Sequence, residues 1–198
     1  MALTLIKEDG TGKVDANSYA SAADGDAYFD GHLYATAWTA ASSGNKEKAL
    51  VFATRLIDAE YQFNGYRANN NQALQWPRER CPDPDKGLIT ISVLIPFLGD
   101  FVEPNVVPKA VVDATCEMAR ELLLADRTAA PAGEGVESVH TGHSDAAGSG
   151  AMGASDNSTI HYSKSDTRPV ISRVAQAMLA KYGAPINGGA GSVRLLRA

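Results

Sequence analysis

The chain has 198 residues, of which 44% are hydrophobic and 21% charged, and its formal net charge is -5. The length suits either one ordinary domain or one domain with an extended appendage, and the composition is typical of a soluble globular protein. No apolar run approaches the roughly 18 residues that a membrane-spanning helix needs. The acidic balance argues against a protein whose main task is to grip nucleic acid, because phosphate binding relies on clustered lysine and arginine. The N-terminal stretch turns acidic too soon for a secretory signal, so we expect the chain to stay in the cytoplasm.

Two helices are predicted in the first third of the chain. Ser21 and Asp24 have the spacing of a capping box, which marks the start of the first helix. Gly25 weakens that helix. The second helix is predicted over 45–65, with Gly65 as its C-terminal stop. Its apolar positions recur at spacings of three and four and are Ala49, Leu50, Ala53, Leu56, Ile57 and Tyr61.

The rest of the chain predicts two more helices and some short strands. A loop-rich stretch covers 66–105 and includes a short strand or buried turn at 89–94. A third helix over 107–126 has a wide apolar arc, so we expect it to be central. The last helix, over 167–183, has Pro169 in its first turn and Gly183 as its stop. The pieces 135–142 and 158–165 alternate as strands do, and either pair as a long-looped hairpin or order against a neighbour.

The predicted fold is therefore mainly helical. It is a small helical bundle with a short β-hairpin or strand-like appendage and an extended C-terminal arm. Residues 1–127 form the helical core, with the loop-rich stretch inside it. Residues 128–165 are a Gly/Ser-rich insertion that we expect to be flexible, flanked by the strand-like pieces. Residues 166–198 form the C-terminal helix and tail.

The chain offers no set of residues that indicates catalysis. It has no glycine-rich phosphate loop, no nucleophile elbow and no zinc-protease motif, so we expect neither an enzyme nor a bound cofactor. His140 and His143 are spaced as HxxH, but no further ligand lies nearby, so a solvated pair is expected rather than a metal site. Cys81 and Cys116 suggest neither a zinc site nor a disulfide framework.

A tryptophan lies in the polar stretch "QALQWPR". Because Pro77 follows Trp76 at once, the pair belongs to a loop or a short extended segment. In one interpretation, an aromatic cluster of Tyr61, Phe63 and Trp76 pins this loop back onto the second helix, with Arg78 over a ring. In the other, the loop is a contact between subunits, since Trp, Tyr and Arg are enriched at interface hot spots. The candidate contact residues are Tyr61, Phe63, Gln72, Trp76, Pro77 and Arg78.

The order of several stretches resembles a known family. "NSYASAADGDAYF", "ALVFATRLIDAEYQFNGYR", "QALQWPR" and "VPKAVVDATCEMARELL" follow one another as in the small head-to-tail connector or adaptor proteins of tailed bacteriophages. The resemblance covers most of the chain except 130–157. It implies a structural virion protein of the phage neck, assembled in the host cytoplasm. Its expected partners are a ring of about a dozen copies, the portal protein, downstream tail or neck proteins, and double-stranded DNA passing through the channel during packaging and ejection without sequence-specific binding.

The C-terminal tail is the expected portal-docking segment of such a connector. Its arginines would pair with portal carboxylates, while its apolar residues would fill pockets. Simple fraying of the terminus is the alternative. The docking residues are Val193, Arg194, Leu195, Leu196 and Arg197.

Some relatives in this resemblance carry the label of DnaT-like single-stranded-DNA-binding proteins, which gives a second hypothesis. The chain would then be a DNA-binding protein of replication. Aromatic residues interleaved with arginine form platforms that stack on bases and contact phosphates. The candidate residues are Tyr66, Arg67, Trp76, Arg78 and Arg80, in the loop-rich stretch that is the one locally basic part of the chain.

Overall fold

The computed structural model describes residues 3–85, 101–129, 136–142, 157–162 and 169–186. The chain divides into two units, one formed by Met1–Arg127 with Val170–Ala198 and the other by Thr128–Pro169. Within the first unit, Arg127 Nε donates a hydrogen bond to the Val170 carbonyl at 2.8 Å, where the chain leaves this unit and returns to it. The predicted strand at 89–94 and the docking tail at 193–197 lie outside the described residues.

Five helices and six short strands occur in the described part. In chain order they are α1 (Ala22–Asp30), α2 (Thr36–Thr39), α3 (Ser43–Glu60), β1 (Tyr61–Phe63), β2 (Tyr66–Arg67), β3 (Arg78–Glu79), α4 (Lys109–Leu124), β4 (Val136–Gly142), β5 (Asn157–Tyr162), α5 (Arg173–Leu179) and β6 (Gly183–Pro185). The predicted mainly helical class is confirmed in the coarse form of a helix-rich domain with small strands. That the helices form a bundle stays a prediction.

The start of α1 is the predicted capping box. Ser21 Oγ accepts the Asp24 N–H at 3.2 Å, and Asp24 Oδ2 accepts the Ser21 N–H at 2.7 Å. Gly25, which weakens α1 as a helix former, lies against the buried Trp38 ring. A Cβ at this position would lie 2.3 Å from Trp38 Cζ2, so the glycine allows the ring to pack closely on the helix.

Helix α4 is central, as its wide apolar arc predicts. It packs on both α3 and α5 and contacts α1 and α2. The core between α3 and α4 contains Leu50, Ile57, Val111 and Met118, all without solvent exposure. The described residues include no helix that is long and apolar enough to cross a membrane.

The predicted C-terminal end of α3 is wrong. The helix ends at Glu60, and the chain continues as β1, which pairs antiparallel with β6 through Tyr61 opposite Pro185 and Phe63 opposite Gly183. Two-residue alternation replaces the helical period here, since Tyr61 and Phe63 are buried and Gln62 is exposed. Gly65 is not the helix stop but lies in the β1–β2 turn with φ +73°.

The last helix is shorter than predicted. Ser172 caps α5 by accepting the Ala175 N–H at 3.2 Å, so Pro169 precedes the helix rather than forming its first turn. The helix ends at Leu179, and Gly183 lies in β6. The second unit contains the pair β4 and β5, antiparallel with a register shift between Val136 and Ser138, which is the hairpin alternative of the sequence prediction.

Candidate functional site

The loop between β2 and β3 is anchored by an aromatic cluster at the end of α3. The Trp76 ring is completely buried, with its centroid 5.6 Å from that of Phe63 and 5.8 Å from that of Tyr182, both edge-on. Tyr61 stacks against Phe63 at 5.4 Å between ring centroids. The structure thus joins the three aromatic residues predicted to cluster. It adds Tyr182, which the sequence analysis missed because no local pattern links it to a loop so far away in the chain.

Arg78 is buried beneath this loop and binds backbone rather than an aromatic ring. Its Nε donates to the Asn64 carbonyl at 2.8 Å, and Nη2 donates to the carbonyls of Gly65 at 2.7 Å and Phe63 at 3.3 Å. Its Nη1 donates to the Gln75 carbonyl at 3.1 Å and to Gln75 Oε1 at 3.0 Å. One guanidinium therefore ties the β1–β2 turn to the segment before Pro77, which corrects the prediction of an arginine over a ring.

The Gln72 side chain forms hydrogen bonds to the backbone of its own loop. Its Nε2 donates to the carbonyls of Leu74 at 2.8 Å and Pro77 at 3.0 Å, and its Oε1 accepts the Asn69 N–H at 2.8 Å. The side chain is 2% exposed, so these three bonds satisfy polar groups that water does not reach. Gln72 is thus an internal brace of the loop.

Tyr19 and Asp58 fix the loop to α3. The Tyr19 hydroxyl donates to Asp58 Oδ1 at 2.5 Å and accepts the N–H groups of Gln75 at 3.0 Å and Trp76 at 3.2 Å. Asp58 Oδ2 also accepts the Gln75 N–H at 3.1 Å. Burial raises the pKa of Asp58 to about 6, although the hydrogen bonds from Tyr19 and Gln75 oppose the shift. The carboxyl therefore titrates in the mildly acidic range.

This titration should make the stability of the fold depend on pH. The pKa of Asp58 rises from 3.8 to about 6 on folding, so the folded state binds the proton more tightly than the unfolded chain. Stability is therefore lost as pH rises from the unfolded pKa through the folded pKa. We expect the free energy of unfolding to lose on the order of 2–3 kcal/mol from this group as pH rises from 4 to 6. The variant Asp58→Asn should lack this component. Urea denaturation of both proteins across that range tests it, and parallel stability curves would show that Asp58 does not titrate as described.

Six residues were predicted to form a contact between subunits or loops, and all six are buried within the chain. Their exposed fractions are 3% for Tyr61, 2% for Phe63 and Gln72, 0% for Trp76 and 4% for Arg78, and Pro77 is also buried. Their side chains therefore support the loop and do not form its outer surface. A subunit contact through this loop would use its exposed residues, such as Asn70 and Asn71, and stays a prediction.

The five candidate DNA-contact residues divide into two groups. Trp76 and Arg78 are buried, which corrects their predicted roles in stacking and phosphate contact. The other three lie at the surface on the paired strands β2 and β3 or directly after them. Tyr66 is 49% exposed, and Arg67 and Arg80 are exposed. We call these three residues, Tyr66, Arg67 and Arg80, the hairpin surface.

The hairpin surface consists of one exposed aromatic and two exposed cationic side chains, supported by the hydrogen bonds of Arg78 and Gln72. Tyr66 pairs with Glu79 and Arg67 with Arg78 across the two strands. Arg67 Nη1 donates to the Gln72 carbonyl at 3.2 Å, which leaves further N–H groups of its guanidinium for a ligand. The tyrosine ring can stack on a planar base, and each guanidinium group can pair with an anion. Within the ranges that the structure describes, no cluster of three or more His, Cys, Asp or Glu side chains is arranged to hold a metal ion.

A family model described as "Putative DnaT-like ssDNA binding protein" matches residues 3–198. Comparisons with curated proteins and with solved structures found no match. The family match shows that the connector interpretation is wrong, together with the virion and portal roles that followed from it. The stretches that suggested a connector, "ATRLID" and "QALQWPR", contribute Ile57 and Trp76 to the core, and core residues identify a fold rather than a function. The ring, the portal and the neck proteins have no support among these findings.

Proposed function

Since the chain belongs to the family of DnaT-like proteins described as ssDNA-binding, we propose that it binds single-stranded DNA through the hairpin surface. The observation that carries the proposal is an exposed tyrosine accompanied by two exposed arginines on, or directly after, one pair of strands. Stacking of a base on an aromatic ring contributes about 1–3 kcal/mol and tolerates any sequence. Tyr66 would supply the ring, and Arg67 and Arg80 would contact phosphates.

The frame beneath the hairpin surface supports this role. Arg78 and Gln72 make the loop rigid through hydrogen bonds to backbone carbonyls, so Tyr66 is presented without a large cost in ordering the chain. The role proposed for this surface is binding and requires no catalytic step. The finer proposal, that the binding serves DNA replication, depends on this affinity.

The acidic chain sets the expected strength of binding. Only two cations belong to the hairpin surface. For single-stranded DNA, each phosphate that a protein cation neutralises contributes about -0.7 to the slope of the logarithm of the binding constant K against the logarithm of the salt concentration. The hairpin surface alone therefore predicts a slope of about -1.4 and modest affinity. At low salt concentrations the measured affinity should lie below the value extrapolated from this slope, because the net charge of -5 repels DNA when screening is weak.

Tyr66→Ala is the direct test. Loss of one stacked base should weaken binding of a fluorescent oligo-dT by about 5- to 100-fold in an anisotropy titration. The free energy of unfolding should change by less than about 0.5 kcal/mol, because the side chain is half-exposed. Tyr34→Ala is the matched control, since Tyr34 is 77% exposed and lies outside the hairpin surface. Wild-type affinity in Tyr66→Ala would show that the hairpin surface is not the site.

A further inference from the structure

Helix α3 carries an aromatic residue between two cations on its outer face. Lys48, Phe52 and Arg55 follow one another at spacings of four and three, so they lie on the same side of the helix. Phe52 is 38% exposed, whereas Leu50 and Ile57 of the same helix are completely buried. Lys48 and Arg55 are also exposed. We call Lys48, Phe52 and Arg55 the α3 face.

Both cations of the α3 face lack a protein partner within the described part of the chain. The other lysines described there each pair with a carboxylate, at 2.6 to 3.2 Å between nitrogen and oxygen. These lysines are Lys7, Lys13, Lys46, Lys109 and Lys181. Lys48 is the exception, and Arg55 likewise forms no ion pair there. Their charges are therefore available to an external anion.

The α3 face is also free of carboxylates. Of the positions three or four residues before Lys48 and after Arg55, Gly44, Asn45 and Ala59 carry no charge. The fourth is Asp58, whose carboxylate accepts hydrogen bonds from the Tyr19 hydroxyl and the Gln75 N–H. A stripe with two cations and no acid contrasts with the net charge of -5 for the whole chain. This local excess attracts phosphate, and the exposed phenyl ring between the cations offers a stacking partner to a base.

We propose that the α3 face is a second contact surface for single-stranded DNA, with phosphates on Lys48 and Arg55 and a base against Phe52. The inference rests on the proposed function. Charge complementarity selects an anionic occupant, since an apolar protein partner would leave two unpaired cations at its interface. Among anions, single-stranded DNA is the one that the description of the family names. Seven residues of helix separate the cations by about 10 Å along the axis, so they would contact different phosphates.

The two surfaces lie on consecutive elements. Helix α3 leads through β1 and the turn at Gly65 into β2, which carries Tyr66 and Arg67. Burial raises the pKa of Asp58, which lies in the last turns of α3, and the nearby charge of Arg67 lowers it by a smaller amount. Arg67 is therefore close to that end of the helix. A strand that engages both surfaces would bind more tightly than a short oligonucleotide held by one of them, because the second contact is intramolecular.

The salt dependence of binding tests the inference. With four cations in contact, log K for a long oligo-dT should change with log salt concentration at a slope of about -2.8 in the wild type. The double variant Lys48→Ala/Arg55→Ala should reduce this slope to about -1.4. Phe52→Ala should weaken binding by about 5- to 100-fold with little change in slope. The control Arg173→Ala/Lys181→Ala removes the same charge from exposed positions at or after α5 and should leave the slope unchanged.

Each outcome separates this inference from the proposed function. If the α3 variants bind as the wild type does while Tyr66→Ala is weakened, the α3 face is not a contact surface and the hairpin surface stands. If the α3 variants alone are weakened, the α3 face is supported and the hairpin surface is rejected. Equal losses in the α5 control would attribute the effect to overall charge and overturn the inference. No binding by the folded wild-type chain would overturn both proposals, and urea denaturation of each variant shows that it is folded.

Discussion

Trp76→Ala should lower the free energy of unfolding by about 3–5 kcal/mol, the loss expected when a large aromatic side chain is removed from a core. The Trp76 ring has no solvent exposure and lies between Phe63 and Tyr182. It therefore joins three segments that are distant in sequence. A cavity here cannot be filled by the loop, because Gln72 and Arg78 hold the surrounding backbone. Urea denaturation followed by far-ultraviolet circular dichroism measures the change.

Trp76→Phe distinguishes the contribution of the ring from that of its nitrogen. The indole Nε1 is buried and has no hydrogen-bond partner among the protein atoms that the structure describes. An unpaired buried donor costs about 1–3 kcal/mol, so its removal offsets part of the area lost when phenylalanine replaces tryptophan. The phenylalanine variant should consequently lose less than half of what the alanine variant loses. Equal losses of stability in the two variants would show that the indole N–H group has a hydrogen-bond partner and that the shape of the ring determines the stability.

Arg78→Ala should have an effect of similar size, about 3–5 kcal/mol, through a different mechanism. The substitution removes the donor for the carbonyls of Phe63, Asn64, Gly65 and Gln75 and for the Gln75 side chain. Hydrogen bonds to a charged group are each stronger than neutral ones, and buried acceptors left without a donor carry a desolvation penalty. Arg78→Lys should restore little, because an ammonium group does not reproduce the planar fork of the guanidinium.

Arg80→Ala is the matched control for Arg78→Ala. Arg80 is exposed and lies two residues further along, so its removal should change the free energy of unfolding by less than about 0.5 kcal/mol. The DNA affinity of the Arg80→Ala variant should nevertheless fall, since Arg80 belongs to the hairpin surface. A stability loss in Arg80→Ala as large as that in Arg78→Ala would contradict the conclusion that Arg78, and not Arg80, holds the β1–β2 turn against the loop.

Local sequence signals predicted the elements whose causes are themselves local. The Ser21 capping box, the apolar period of α3 and the wide apolar arc of α4 each depend on residues within a few turns of one another. The end of α3 was predicted wrongly because Tyr61 continues the helical spacing from Ile57. What removes it from the helix is pairing with β6, which lies more than a hundred residues later.

The burial of polar side chains was the part that the sequence could not indicate. Arginine and glutamine are usually exposed, so Arg78 and Gln72 gave no sign that they would form the inside of a loop. Tyr182 had no sequence relation to Trp76 that would predict their contact. The sequence shows that the stretch is aromatic and basic, but which of its residues face solvent depends on these tertiary contacts. The structure consequently keeps Tyr66, Arg67 and Arg80 as candidates and removes Trp76 and Arg78.

The hydrogen bond from Arg127 to Val170 has a thermodynamic consequence for the intervening Thr128–Pro169 unit. The two ends of this segment are held next to each other. The conformational entropy lost when they are brought together grows only with the logarithm of the length of the segment. Each doubling of a flexible loop costs about 0.6 kcal/mol. The stability of the first unit should therefore depend only weakly on the number of residues between these two positions.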